Sequence, residues 1–439
     1  AEEQSVLQRL TVFQGSFSKA AALQVVDTSP QILAALVDKS MLNRVTYEHP
    51  NPVTRYMMHN LVRHYAAEKL TRAPDVLLST HQRHCDYYCA LLQGLESDLT
   101  GNAQRQAIEI LSAEIENTRA AWDWAATHSR ASAIKQALGS LSEFYTLRCW
   151  FQEGASVFDQ AIQNLSQTRP MPQSIRHLIL KLSTRRGIFL GHLGLHAEAE
   201  NLLRKSLAGL QTLEDVPEMV LCLNGLSFII NRQGDYTKAE KLLKRALALA
   251  RTTPSRQLEA DALSRLGAVY FYLANYARSS DCYAQTLRIR RELDDQFGVS
   301  LALGNLGITA YEQNDLKGAR TYFEQSLDIV RHKIGNRERE GWILNNLGMT
   351  ALDYGEYTDA RDYYRQALHI SREIGDLWGT SNTLGNLGLV YWSLGDFATA
   401  RDYYVEGVKI KRKIDDRRGE SLITSFQGLL CHDLGEDTR

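Results

Sequence analysis

Residues 386–407 read NLGLVYWSLGDFATARDYYVEG, and Gly388, Gly395, Ala400, Tyr404 and Gly407 stand in it where two packed antiparallel helices would need them. Ala400 lies twelve residues and Gly407 nineteen residues past Gly388, with the bulky Tyr404 between them. Helices approach to about 8 Å only where a small side chain admits the neighbour's large one. Gly395, seven past Gly388, falls where a helix C-terminus favours a residue tolerant of left-handed backbone.

The same frame returns upstream. The anchors Gly187, Ser227, Gly267, Gly307, Gly348, Gly388 and Gly428 follow one another at 40 residues, once at 41, so the second half of the chain is a repeat array. Twelve past each anchor stand Ala199, Ala239, Ser279, Ala319, Ala360 and Ala400; nineteen past stand Ser206, Ala246, Thr286, Ser326, Ala367 and Gly407. The large column between them is Leu203, Leu243, Tyr283, Phe323, Tyr364 and Tyr404, and the turn column is Gly194, Gly234, Ala274, Asn314, Gly355, Gly395 and Gly435. The unit is helix, turn, helix. It resembles the tetratricopeptide repeat, stretched from about 34 residues to about 40. The spacing predicts an array over 175–439, about seven repeats with the last incomplete. A divergent first repeat precedes it over 138–174, with Gly154, Phe158 and Ala161 in the three columns.

Composition agrees with long helices. The 439 residues are 44% hydrophobic and 23% charged, and none of the eight prolines follows Pro254. Fifty Lys and Arg against 51 Asp and Glu leave a net charge of -1, so no global field draws the chain to nucleic acid or an anionic membrane. No export signal or membrane-spanning stretch is evident, and six scattered cysteines suit buried reduced thiols, which together predict a cytoplasmic protein. The opening alanine suggests an excerpt of a longer chain.

Residues 1–72 have another pattern. Gln4 to Phe13, Lys19 to Val26 and Pro30 to Leu42 have helical apolar spacing, and Asn43 to Tyr47 with Thr54 to Met58 read as two strands around the proline-stiffened segment Glu48 to Pro52. Three helices and a wing predict a winged helix. Residues 73–137 read as a helical arm, with helices Leu61 to Leu70, Val76 to Leu95 and Gln104 to Ala126 spanning the junction and the arm. The expected fold class is all-α: a tetratricopeptide-repeat superhelix preceded by a small winged-helix domain and this arm.

The stretches Leu7 to Phe17, Leu36 to Leu42, Arg55 to Leu61 and Tyr65 to Leu70 resemble the winged-helix segment of bacterial STAND proteins, the signal-transduction ATPases with numerous domains. Ile115 to Ala125 is similar to the helical arm before their repeats. The resemblance implies a nucleotide-binding domain upstream, holding ADP or ATP with Mg, a winged helix that closes over the ADP, and repeats that sense an inducer. Met58-His59-Asn60 is similar to that family's Met-His-Asp element, whose histidine contacts the ADP β-phosphate; Asn60 replaces the aspartate that would orient His59. No Gly-x-x-x-x-Gly-Lys-Ser/Thr occurs, and no hydrolase or zinc-peptidase signature, so neither catalysis nor a cofactor is expected in this chain itself.

Other motifs are weaker. Residues 1–72 hold eight Lys and Arg against six Asp and Glu, which is thin for DNA binding by a winged helix. His81, Cys85 and Cys89 share a helical face, yet one straight helix offers poor tetrahedral geometry, and no metal is expected. The basic runs around Arg290, His332 and Lys411 read as solvated helix ends.

First helices of tetratricopeptide repeats line the concave surface. The frame then places a ligand groove at Asn224, Phe228, Asn231, Phe271, Tyr272, Asn305, Tyr311, Glu312, Trp342, Asn345, Asn346, Asp353, Asn382, Asn386 and Trp392. Aromatics supply rigid contact area, and an asparagine amide can pair with both groups of a bound backbone. Asn345-Asn346-Leu347-Gly348 is similar to the element by which some repeat proteins hold extended peptides. The expected function is the sensor and regulatory half of a STAND switch, binding a protein, peptide or small-molecule inducer in this groove, with no nucleic-acid or membrane partner. A free-standing scaffold for peptide or protein partners is the alternative, and a DNA-binding regulator comes third.

Overall fold

The computed structural model describes residues 2–47, 53–101 and 103–433, and the expected wing segment Glu48 to Pro52 and turn residue Gly435 lie outside them. The chain divides into two compact units, 1–234 and 235–439.

The first unit opens with α1 (Glu2–Arg9), β1 (Ser16–Ser18), α2 (Lys19–Val26), α3 (Pro30–Asp38), β2 (Leu42–Tyr47) and β3 (Val53–Met58). The strands make an antiparallel sheet of order β1-β3-β2, with Ser16 opposite Met57 and Leu42 opposite Met58. Its core stacks Phe13 on Phe17, with ring centroids 4.4 Å apart, against buried Tyr56 and Tyr88. Two expectations change. The third helix ends at Asp38 rather than Leu42, because Ser40 takes a left-handed φ of 57° and turns the chain into β2. Strand β1 was not foreseen, since three residues are too short to show alternation.

Helices α4 (Asn60–Leu70), α5 (Pro74–Gly94), α6 (Gln104–Ala113) and α7 (Ile115–Thr127) follow. The single helix expected over 104–126 is broken at Glu114, whose carboxylate is pulled into the core. Arg55 Nη1 donates to Glu114 Oε1 at 2.5 Å, and Tyr88 and Asn117 donate to Oε2 at 2.9 and 3.1 Å. Next come α8 (Ala131–Leu147), α9 (Phe151–Leu165), α10 (Gln173–His192), α11 (His196–Thr212) and α12 (Val216–Arg232).

The second unit is helical throughout its described residues: α13 (Tyr236–Ala250), α14 (Arg256–Tyr272), α15 (Tyr276–Glu292), α16 (Gln296–Glu312), α17 (Leu316–Ile329), α18 (Arg337–Asp353), α19 (Tyr357–Glu373), α20 (Leu377–Ser393), α21 (Phe397–Lys413) and α22 (Arg417–Asp433). The size columns meet as the repeat frame requires. A Cβ on Gly187, Gly267, Gly307 or Gly348 would lie 2.7, 2.9, 2.6 or 2.7 Å from Leu203, Tyr283, Phe323 or Tyr364, inside van der Waals contact. Gly194, Gly234, Ala274, Asn314, Gly355 and Gly395 all have positive φ. Of the helices that follow these turns, α13, α15, α17 and α21 start under an Asp or Asn cap, as where Asp315 accepts the Gly318 N–H at 2.9 Å. The one 41-residue spacing has a local cause: Val330–Ile334 widens into a π-type turn closed by Gly335 at φ 70°, which absorbs the extra residue.

Candidate ligand groove

Successive first helices of the second unit carry their predicted groove residues close enough to bond across helices. Asn386 Nδ2 donates to Asn345 Oδ1 at 3.0 Å, joining α20 to α18. The Tyr311 hydroxyl donates to Asp353, joining α16 to α18, and Trp392 Nε1 donates to Asp433 Oδ2 at 2.9 Å, joining α20 to α22. Burial and the Asp353 carboxylate together push the Tyr311 hydroxyl pKa upward. Asn382 accepts from Lys411 Nζ at 2.6 Å, and Glu312 accepts from the Tyr276 hydroxyl at 3.4 Å.

Between α14 and α16 lies a pocket of about 420 Å³ lined by Asp261, Ser264, Arg265, Phe271, Tyr272, Asn305 and Ile308, with Tyr283 and Arg290 of α15 behind. That volume suits a small ligand or a few peptide side chains. Tyr272 stacks on Tyr236 with centroids 5.5 Å apart and stays more than half exposed. Asn346 turns the other way: it is buried, and its Nδ2 donates to the Trp342 carbonyl of its own helix at 2.8 Å. In the first unit, Phe228 packs 4.6 Å from the His192 ring, Asn224 is buried with neither amide atom bonded, and Asn231 Oδ1 is also unbonded.

The basic helix ends are mostly exposed, as expected, but two of their cations are buried. Arg290 is buried between Asp261 and Asp295, and Lys411 is buried on Asp416 at 2.6 Å with Asn382 beside it. Asp295 and Asp416 are the caps of the next first helix, so each buried cation fastens one repeat to the following one. Two groove arginines went unforeseen. Arg265 stands two before Gly267, in the column that holds Asn305 and Asn386, and could have been found from it. Arg339 lies outside the columns.

His59 is exposed and caps α4, its Nδ1 accepting the Leu61 N–H at 3.3 Å. A neutral imidazole that accepts on Nδ1 carries its proton on Nε2, where it can donate. One turn on, Arg63 donates to Gln14 Oε1 and the Gly15 carbonyl at 3.1 and 3.3 Å, and burial lowers its pKa. Beside this corner, Leu7, Leu36, Met41, Leu61, Val62 and Tyr65 line an apolar cavity of about 580 Å³.

Helix α3 exposes Gln31, Ala34 and Asp38 and carries no basic residue, which leaves it without phosphate contacts. Among the described residues no three His, Cys, Asp or Glu side chains converge on a metal position. His84 is instead buried against Phe13 and Tyr88, and Cys85 and Cys89 sit Sγ to Sγ at 3.9 Å. Of the six cysteines four are buried, while Cys149 is exposed. No single helix among the described residues is long and apolar enough to cross a membrane.

Paired helices on size-matched columns define a helical repeat scaffold. The tetratricopeptide-repeat family model matches residues 178–252, 258–332 and 336–413, just over half of the chain, and the chain belongs to the tetratricopeptide-repeat family. Its fold is similar to that of the STAND protein with a tetratricopeptide repeat sensor from Pyrococcus horikoshii, at 14% identity and a TM-score of 0.54, covering 96% of this chain and 65% of that one. It is also similar to the quorum sensor NprR from B. thuringiensis, at 13% identity and a TM-score of 0.55, covering 79% of this chain and 93% of that one. RapI gives 16% identity and a TM-score of 0.55, covering 66% and 79%. A Mycobacterium tuberculosis protein provisionally described as an HTH-type transcriptional regulator is 32% identical over 169 residues, which is 37% of this chain; the chain spans 18% of that relative's length.

Proposed function

We propose that this chain is the sensor and regulatory half of a bacterial, cytoplasmic STAND switch, in which the repeats bind an inducer and an N-terminal winged helix brings His59 to ADP on an upstream nucleotide-binding domain. The observation that carries this reading is the buried Arg55–Glu114 pair. Strand β3 holds Arg55 and ends at Met58, next to His59, and Glu114 begins the helices that lead into the repeats, so movement there would reach the nucleotide contact through one strand. The helix-strand order of residues 2–58 and the coverage of the Pyrococcus protein support it.

The corner fits a phosphate. His59 Nε2–H, the desolvated Arg63 and the first N–H groups of α4 are the donors an anion needs at a helix start. The apolar cavity beside them is the surface against which the upstream domain would close. In the intact protein, His59→Ala should speed ADP release and raise basal ATP hydrolysis; unchanged ADP retention would remove His59 from the switch. The present chain alone should bind no ADP at micromolar concentration in calorimetry.

The description of the mycobacterial relative favours transcription as the switch's output. On that reading DNA is contacted outside this chain, and a mobility-shift assay with residues 1–439 should show no binding at physiological salt. A free-standing scaffold is separated by Trp342→Ala in the intact protein: both readings expect weaker inducer binding, and only the switch expects lost inducer-stimulated ATP turnover.

A further inference from the structure

Other arginines of the second unit have carboxylate partners. Arg290 pairs with Asp261 and Asp295, Arg320 with Glu356, and Arg331 and Arg337 with Glu340. Arg339 has none among the described residues. Its guanidinium lies 4.1 Å over the Trp342 ring, Nη2 donates a long 3.4 Å bond to the Ser300 carbonyl, and the buried Nε has no partner. Burial alone lowers its pKa to about 10. Withdrawing a cation from water is costly, and stacking on an aromatic face returns only part of that cost.

The chain makes room for this cation. A Cβ on Gly304 of α16 would run into Arg339 Nη2, so glycine there lets the guanidinium settle between α16 and α18 while the side chain stays partly exposed. Arg265 lines the pocket on the other flank of α16, and burial lowers its pKa against the opposing pull of Asp261. The nearby carboxylates of Glu312 and Asp353 are already held by Tyr276 and Tyr311.

We propose that Arg339 makes the inward face of α16 and α18 a reader of acidic peptides, taking an aspartate or glutamate carboxylate of the ligand as its missing counter-ion. The proposal rests on the reading of this face as the ligand groove and adds the chemistry of the ligand. Asn305, Asn345 and Asn386 lie along the same helices, where their amides can pair with the peptide backbone.

The test is selection of phage-displayed random dodecapeptides on the full chain and on Arg339→Gln, followed by calorimetry with a selected dodecapeptide and its Glu-to-Gln counterpart. The expected pool is enriched in Asp and Glu on the wild-type chain and loses that enrichment on Arg339→Gln, and the acidic peptide binds at least about tenfold tighter than its counterpart. Arg339→Lys should keep most of the preference. Arg339→Gln should melt no lower than wild type, because it removes an unpaired charge; a large loss of melting temperature would show that Arg339 is a structural residue and overturn the proposal. A neutral or basic pool that still depends on Asn345 would overturn the acidic assignment and leave the groove standing. A pool with no binders would sink both. Displacement of the acidic peptide by millimolar inorganic phosphate, or by an oligonucleotide more readily than by free glutamate, would make this a phosphate site and refute the peptide reading.

Discussion

Arg55 of β3 and Glu114, between α6 and α7, form an ion pair in which both side chains are about 5% exposed. The Ser16 carbonyl and hydroxyl and the Ala113 carbonyl also accept from the guanidinium, so both charges are held by a closed set of partners. Glu114→Ala would strand a buried cation. The expected loss is about 3–5 kcal/mol, read as early hydrogen-exchange deprotection of β1 and β3 while α14 to α21 stay protected. Uniform deprotection of both units would contradict the local role.

The size columns predict a compensating pair. Gly348→Ala forces a Cβ against the Tyr364 ring and should cost about 1–3 kcal/mol, as overpacking does. Tyr364→Leu introduced with it should return part of that loss in urea unfolding. If the double variant is as unstable as the sum of the two single ones, the two residues are not the interlocking partners that the geometry makes them.

Ala274 occupies the turn column with φ 54°, where four of the other described positions are glycine. A non-glycine residue pays about 1–2 kcal/mol there. Ala274→Gly should therefore raise the melting temperature of the second unit, and Asn314→Gly should raise it less, because asparagine tolerates this region better. A drop for Ala274→Gly would refute the argument.

His84 gives a pH signature. Desolvation holds its pKa down to about 3, against about 6.5 in an unfolded chain. Between these values the unfolded chain binds one more proton, so stability rises with pH across the window and falls as the solution is acidified from about 6.5 toward 3. The slope is at most about 1.4 kcal/mol per pH unit from this group. Comparing His84→Leu with wild type isolates it: the variant should lose less stability between pH 6.5 and 4.5, and parallel curves would place His84 in contact with water.

The repeats were legible because their constraint is periodic. Gly267, Gly307, Gly348 and Gly388 announce their partners at a fixed offset, and positive φ at Ala274 and Asn314 follows from position even where glycine is absent. Long-range polar pairings carry no such period. Nothing local in Ile110 to Thr118 reports that Glu114 answers Arg55 59 residues away, so the break between α6 and α7 was read as continuous helix. The candidate groove could be proposed from columns of aromatics and amides, whereas Arg339 could not, because its interest lies in a carboxylate partner that is missing among the described residues.

The bonds from Tyr311 to Asp353, Asn386 to Asn345 and Trp392 to Asp433 mean that the ligand-free groove is already occupied by its own side chains. A peptide that engages those amides and that indole exchanges one set of hydrogen bonds for another, and each exchange nets only a fraction of about 1 kcal/mol. Each exchange also unties two neighbouring helices. If the groove takes a peptide as proposed, the bound and free states would differ in the spacing between repeats more than in binding enthalpy, and occupancy would be reported as a change of pitch passed along the repeats.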